Sequence, residues 1–149
     1  MATSICSLFS NTSSVKIDKS KWSYLYTWPS YIIDVLGANT TTVSSFAYAF
    51  NNWAVSSFPK FDTSNATEFN GIFQSSTALK ALPDFDYSKA KNVSYMFHGC
   101  DNVESGILDT YNKLSNTPSI TSHYWTFRSC GVSSQTGSAE LAQIPSDWK

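Results

Sequence analysis

His98 and Cys100 stand two residues apart in the stretch "KNVSYMFHGC" (residues 91–100). That spacing could serve half a metal site, or a thiol nucleophile activated by an imidazole. Asn92-Val93-Ser94 in the same stretch is a glycosylation sequon, as are the triplets that begin at Asn11, Asn39 and Asn65. Carboxylate pairs for acid–base work would come from Asp84 with Asp86, or from Asp101 with Glu104. Each of these has a plainer reading. The carboxylates fall at corners built of turn residues, and sequons arise by accident in a chain this full of Asn, Ser and Thr. The three cysteines, Cys6, Cys100 and Cys130, are too few and too widely spaced for a paired-cysteine zinc site or a disulfide framework. No nucleophile elbow supports a Ser, His and Asp triad. The expectation is a protein that is not an enzyme and has no cofactor or metal.

What places these residues is a repeat. Residues 58–73, "FPKFDTSNATEFNGIF", lie over residues 82–97, "LPDFDYSKAKNVSYMF", at a shift of 24 without gaps, with six identities in sixteen positions. Chance would give about one. Phe50, Phe73, Phe97 and Phe127 continue the series at intervals of 23, 24 and 30, and residues 7–17 align weakly with residues 71–81. A unit of this length cannot bury its apolar face alone, whereas several side by side can. The period falls within the roughly 20 to 29 residues of leucine-rich repeats. The expected fold is therefore an α/β repeat: a short leucine-rich-repeat-like solenoid of four to five coils with a small parallel sheet, short helices or 3₁₀ turns, and atypical capping ends.

Within a unit, "VSSF" (55–58) and "LKAL" (79–82) read as short strands, each followed by a proline that would end it. Residues 92–98 read as one short helix or 3₁₀ turn, because Val93, Met96 and Phe97 recur at i, i+3 and i+4. The expected repeat core is Phe50, Phe58, Phe69, Phe73, Leu79, Leu82, Val93, Met96, Phe97 and Phe127. Asp62 and Asp86, each followed closely by a hydroxyl residue, suit side-chain to backbone turn bonds. In the repeat register Cys100 falls with Ser76, Trp53, Thr12 and Cys130, mostly small residues able to donate to a local backbone group. His98 falls with Gln74, Asn51 and Arg128, a variable polar surface position. Cys100 and Cys130 would lie about 5 Å apart on neighbouring units, close to disulfide geometry, although a chain made in the cytosol starts reduced.

These repeats carry a resemblance. "FDTSNATEFNGIF" and "FDYSKAKNVSYMFHGCDNV" are similar to the "FDTSNVTNMSYMFYGCSSL" type of unit of BspA-like leucine-rich repeat proteins, clearly over residues 46–103. "NVESGILDTYNKLSN", "FRSCG" and "AELAQIPSDWK" resemble the closing segment of such repeats in bacteriophage and gut-bacterial proteins. The resemblance implies an interaction module on a surface or a virion, with no catalytic residue attached to the repeat.

The 149 residues suit a single domain, divided into an N-terminal degenerate coil and aromatic cap (1–45), repeat coils (46–103) and a C-terminal helical cap with the last coil (104–149). Ser105 is the expected cap of a helix carrying Ile107, Tyr111 and Leu114, and Ser138 the expected cap of a helix at 139–143. In "KWSYLYTW" strict alternation puts Trp22, Tyr24, Tyr26 and Trp28 on one face of a strand, the candidate binding or interface face. Ser30 would cap a short helix through Leu36 that ends at Gly37.

Only 14% of residues are charged and the net charge is -1, so no positive field for nucleic acid exists. No stretch reaches the roughly 18 apolar residues of a membrane span, and no signal peptide is visible. The expectation is a bacteriophage virion structural or decoration protein, made in the host cytoplasm and displayed on the particle. Its expected partners are other virion proteins or copies of itself. The alternative is a bacterial cell-surface or secreted adhesion module that binds host protein or glycan.

Overall fold

The structure, a computed structural model, describes residues 43–53, 56 and 62–149. Four turn units, 46–52, 69–75, 93–99 and 123–129, lie side by side, and one rule joins the first three to their neighbours. Alternate residues send their N–H to the next unit: Val93, Tyr95, Phe97 and Gly99 donate to the carbonyls of Ser122, Tyr124, Thr126 and Arg128 at 2.8 to 2.9 Å. Phe69, Gly71, Phe73 and Ser75 donate in the same way to Asn92, Ser94, Met96 and His98, as do Phe46, Tyr48, Phe50 and Asn52 to Glu68, Asn70, Ile72 and Gln74. The residues between bend back three positions, as Met96 does to Val93, His98 to Tyr95 and Cys100 to Phe97. Ser94 N–H goes to Asn92 Oδ1 at 3.1 Å, so every buried N–H in the third unit is satisfied, as burial demands.

This geometry overturns the expected sheet. Among the described residues there is no strand and therefore no parallel-sheet leucine-rich-repeat solenoid; the parallel pairing is limited to the isolated bridges Ser45 with Glu68, Glu68 with Asn92, Asn92 with Ser122, and Ala81 with Ser105. A ladder needs extended residues in succession, whereas each unit here turns through the left-handed region twice. Tyr48, Gly71, Tyr95 and Trp125 have φ between 53° and 62°, and Asn52, Ser75, Gly99 and Ser129 between 56° and 71°. The strand expected at 79–82 is reduced to the single bridging residue Ala81, and of the one expected at 55–58 only Ser56 is among the described residues, Phe58 lying outside them. Of the short helix or 3₁₀ turn expected over 92–98, no helix forms, because left-handed Tyr95 interrupts the helical dihedrals; the segment is a run of turns closed three residues back.

Inside the units the phenylalanines form a column. Phe50, Phe73, Phe97 and Phe127 follow one another with ring centroids 5.6, 6.0 and 5.9 Å apart and interplanar angles of 17°, 3° and 22°. All four are fully buried, with Phe69, Leu79, Val93 and Met96, while Leu82 is half-buried. Offset stacking of this kind adds about 0.5 to 1.5 kcal/mol per pair beyond burial. Phe85 and Tyr87 close the other side of this core, the latter edge-on to Phe69.

Side chains brace the units from outside the column. Asp62 and Asp86 accept from the N–H of Ser64 and Ser88 at 3.0 and 2.9 Å, and hydrogen bonding by the side chain of each serine first and its N–H second holds both carboxyls below the ordinary range. Ser76 Oγ and Cys100 Sγ donate to the carbonyls of Phe50 and Phe73, so this position bonds the preceding unit rather than a local group.

The helix α1, Ile107–Ser115, buries Ile107, Thr110 and Leu114. Its N-cap is left-handed Gly106, which offers no side chain, and the free N–H groups of Ile107 and Leu108 are instead taken by Glu140 Oε2 at 2.8 and 3.1 Å. Ser105, the expected cap, is the residue that bridges to Ala81. Glu140 belongs to α2, Gln135–Ala142, which starts four residues earlier than the 139–143 expected because Ser134, not Ser138, caps it by accepting from the N–H of Gly137. Gly137 is required there, since a Cβ would lie 2.2 Å from the carbonyl of Val103. A 3₁₀ turn, Ser146–Trp148, ends the chain with Trp148 stacked on His123 and its carbonyl accepting from Phe127 N–H.

Phe97 touches the rings on both sides of it, so Phe97→Ala is expected to lower the unfolding free energy by about 3 to 5 kcal/mol. Denaturant unfolding checks this; a loss below about 1 kcal/mol would show that the column is not the core.

Candidate functional site

The His98 and Cys100 pair divides between inside and outside. Cys100 is fully buried, and burial pushes its thiol up to about 12, so it stays protonated and donates to Phe73 O at 3.0 Å. A buried neutral thiol is inert. Cys130 is also a free, buried thiol, and burial raises it too. His98 is half-buried on the outer side, where burial first and the Arg128 charge second lower its basicity. It is more engaged than a bare surface position, with Nδ1 3.4 Å from Gln74 Nε2 and its ring stacked on Trp125 at 5.9 Å. The paired carboxylates also separate: Asp84 bonds Lys113, Asp86 holds Ser88, and Glu104 pairs with Lys80 at 2.8 Å. No group of three metal-ligating side chains occurs among the described residues.

The two left-handed positions of each unit differ in character. The second is filled by Asn52, Ser75, Gly99 and Ser129, residues that are small or bond their own backbone and so tolerate a positive φ. The first is filled by Tyr48, Gly71, Tyr95 and Trp125. A bulky side chain there costs about 1 to 2 kcal/mol, and Gly71 shows that glycine fits the same position. Three units therefore carry a strain that a glycine would remove.

The rings so placed form an edge. The Tyr48 ring lies across Gly71, where a Cβ would meet it at 2.3 Å, so the one glycine of the column is the space into which the preceding aromatic leans. Tyr95 stands edge-on to Tyr124 at 5.6 Å and to Trp125 at 5.8 Å, and Tyr124 stacks on Trp125 at 4.5 Å. The Arg128 guanidinium sits 3.7 Å from the centre of the Trp125 ring. Tyr48 and Tyr124 are 37% and 51% exposed, which leaves ring surface for a partner. Beside this row runs a polar one of Asn51, Gln74, His98 and Arg128, linked from Asn51 to Gln74 and from Gln74 to His98 at 3.4 Å each.

The face expected at Trp22, Tyr24, Tyr26 and Trp28 lies outside the described residues, as do Cys6, the helix after Ser30 and the sequons at Asn11 and Asn39. Of the other sequons, Asn65 Oδ1 accepts from Lys89 and Asn92 Oδ1 from Ser94 N–H. The aromatic edge at Tyr48, Tyr95, Tyr124 and Trp125 is hidden in the sequence. Tyr95 reads there as the spare residue of an apparent helical triplet, and only its aromatic match with Tyr48 and Trp125 in repeat register could mark it.

A family model described as "Mycoplasma protein of unknown function, DUF285" matches residues 3–136. The chain belongs to this family, so its kinship with BspA-like repeat proteins holds at the level of the family. No curated protein and no solved structure matches it.

Gly71→Ala is expected to cost about 1 to 3 kcal/mol, through the left-handed φ and the collision with the Tyr48 ring. Tyr48→Ala added to it is expected to recover part of that loss. A double-mutant cycle by denaturant unfolding checks this; strict additivity would show that ring and glycine do not share the space.

Proposed function

We propose that this member of the DUF285 family is a non-enzymatic interaction module that holds its partner by the aromatic edge of Tyr48, Tyr95, Tyr124 and Trp125. The observation that carries this reading is the strain. Large aromatics occupy left-handed positions in three units although a fourth accepts glycine, and backbone strain of this kind collects at functional sites. Tyr and Trp are also the side chains that anchor interfaces, since one ring contributes large contact area at little entropic cost.

The module acts where a surface meets its surroundings, as a decoration protein on a phage particle. The second placement is a bacterial cell-surface or secreted adhesion protein. It is favoured by the family description, which names mycoplasmas and no virus. Fractionation distinguishes them: the protein travels with purified particles in the first case and with the cell envelope or medium in the second.

Binding of the purified chain to whichever fraction carries it tests the reading. Tyr48→Ser and Tyr124→Ser together are expected to weaken binding by about tenfold or more. Both side chains are partly exposed, so the unfolding midpoint should change little. Unchanged binding by the folded double variant would move the interface elsewhere.

A further inference from the structure

The polar row beside the aromatic edge runs in one direction. Asn52 Nδ2 donates to Asn51 Oδ1, Asn51 Nδ2 to Gln74 Oε1, and Gln74 Nε2 to His98 Nδ1. A neutral imidazole that accepts at Nδ1 carries its proton on Nε2. Burial first and the Arg128 charge second favour that neutral ring. The row therefore ends in donors, the Nε2–H of His98 and the five N–H of the Arg128 guanidinium, and none of them has an acceptor among the described residues. Lys80 and Lys113 each hold a carboxylate, whereas exposed Arg128 holds none. Its guanidinium instead lies 3.7 Å from the centre of the Trp125 ring, on which Tyr124 stacks at 4.5 Å and His98 at 5.9 Å. A fork laid flat on an indole is already oriented, so it loses little freedom when it binds.

We infer that His98, Tyr124 and Arg128 form a subsite for a carboxylate-bearing sugar, and that the partner of this face is an acidic polysaccharide of the uronic acid class. Charge complementarity selects an anion: donors without acceptors call for an acceptor-only group, and the guanidinium fork fits a carboxylate through two parallel bonds. The Tyr124 ring, 51% exposed, offers its face to the C–H side of a pyranose. Asn51 and Gln74 each use one of two amide hydrogens within the row, which leaves the other for hydroxyls of the neighbouring sugars. One such polar side chain per unit, repeated along the edge, suits a polymer that repeats its hydroxyls. An acidic peptide matches Arg128 but brings no such repeat to the amides. The inference rests on the interaction-module reading, since it shares Tyr124 with the aromatic edge.

The test is NMR of the full isotopically labelled chain, titrated with tetragalacturonate, with maltotetraose and with a polyglutamate peptide at one ionic strength. Tetragalacturonate is expected to shift the side-chain signals of His98, Tyr124 and Arg128, and Arg128→Gln to weaken it by about tenfold or more. Arg128→Lys, which keeps the charge and loses the fork, should restore only part of that affinity. Tetragalacturonate that leaves the three side chains unmoved overturns the inference. So does maltotetraose binding equally well, which removes the carboxylate, or polyglutamate binding more tightly, which makes the partner an acidic polypeptide. Arg128→Gln that still binds the natural fraction, where the Tyr48→Ser and Tyr124→Ser pair does not, overturns this inference and leaves the aromatic edge standing.

Discussion

The structure depends on how the main chain divides its donors. In each of the first three turn units alternate N–H groups cross to the neighbour and others close a turn three residues back, so one short segment is both a turn and a rung. The left-handed residues make this division possible, because they reverse the chain often enough that alternate amides face the same direction. Each crossing bond is worth only about 0.5 to 1.5 kcal/mol net, but leaving its donor buried and unpaired would cost more. The bonds therefore set the spacing, and the phenylalanine column, at 5.6 to 6.0 Å, fills the interior that the spacing creates.

The two sides of the units have different tasks. Inward, Phe73, Met96, Phe97 and Cys100 are fully buried, and Ser76 and Cys100 fasten the second and third units to the carbonyl of the preceding phenylalanine. Outward, the left-handed aromatics and the Asn51, Gln74, His98 and Arg128 row make the surface. The C-terminal segment holds the last unit: Glu140 supplies the acceptor that Gly106 lacks, and Trp148 covers Phe127 and His123.

The period and the buried phenylalanines are legible in the sequence because burial repeats with the chain and tolerates little substitution. The conformation is not. Val93, Met96 and Phe97 point one way in a helix and also in a turn with Tyr95 left-handed, and apolar spacing does not tell these apart. Short apolar runs suggest strands, yet a run at 79–82 that bridges at one residue carries the same letters as one that pairs throughout. The cap of α1 is out of reach of local reading because Glu140 lies more than thirty residues from the amides it satisfies. The aromatic edge escapes notice as well, since Tyr48, Tyr95 and the neighbours Tyr124 and Trp125 look like scattered surface until φ is known.

The central claim is that the left-handed aromatics are there for a partner and not for the fold. It is tested most directly by replacing Tyr48, Tyr95 and Trp125 with glycine together, then measuring unfolding and partner binding on the same preparation. Relief of about 1 to 2 kcal/mol of backbone strain at each position should offset the ring packing that is removed. The account predicts an unfolding midpoint close to that of the unmodified chain, with binding abolished. A variant that unfolds, or one that folds and binds as before, would contradict it.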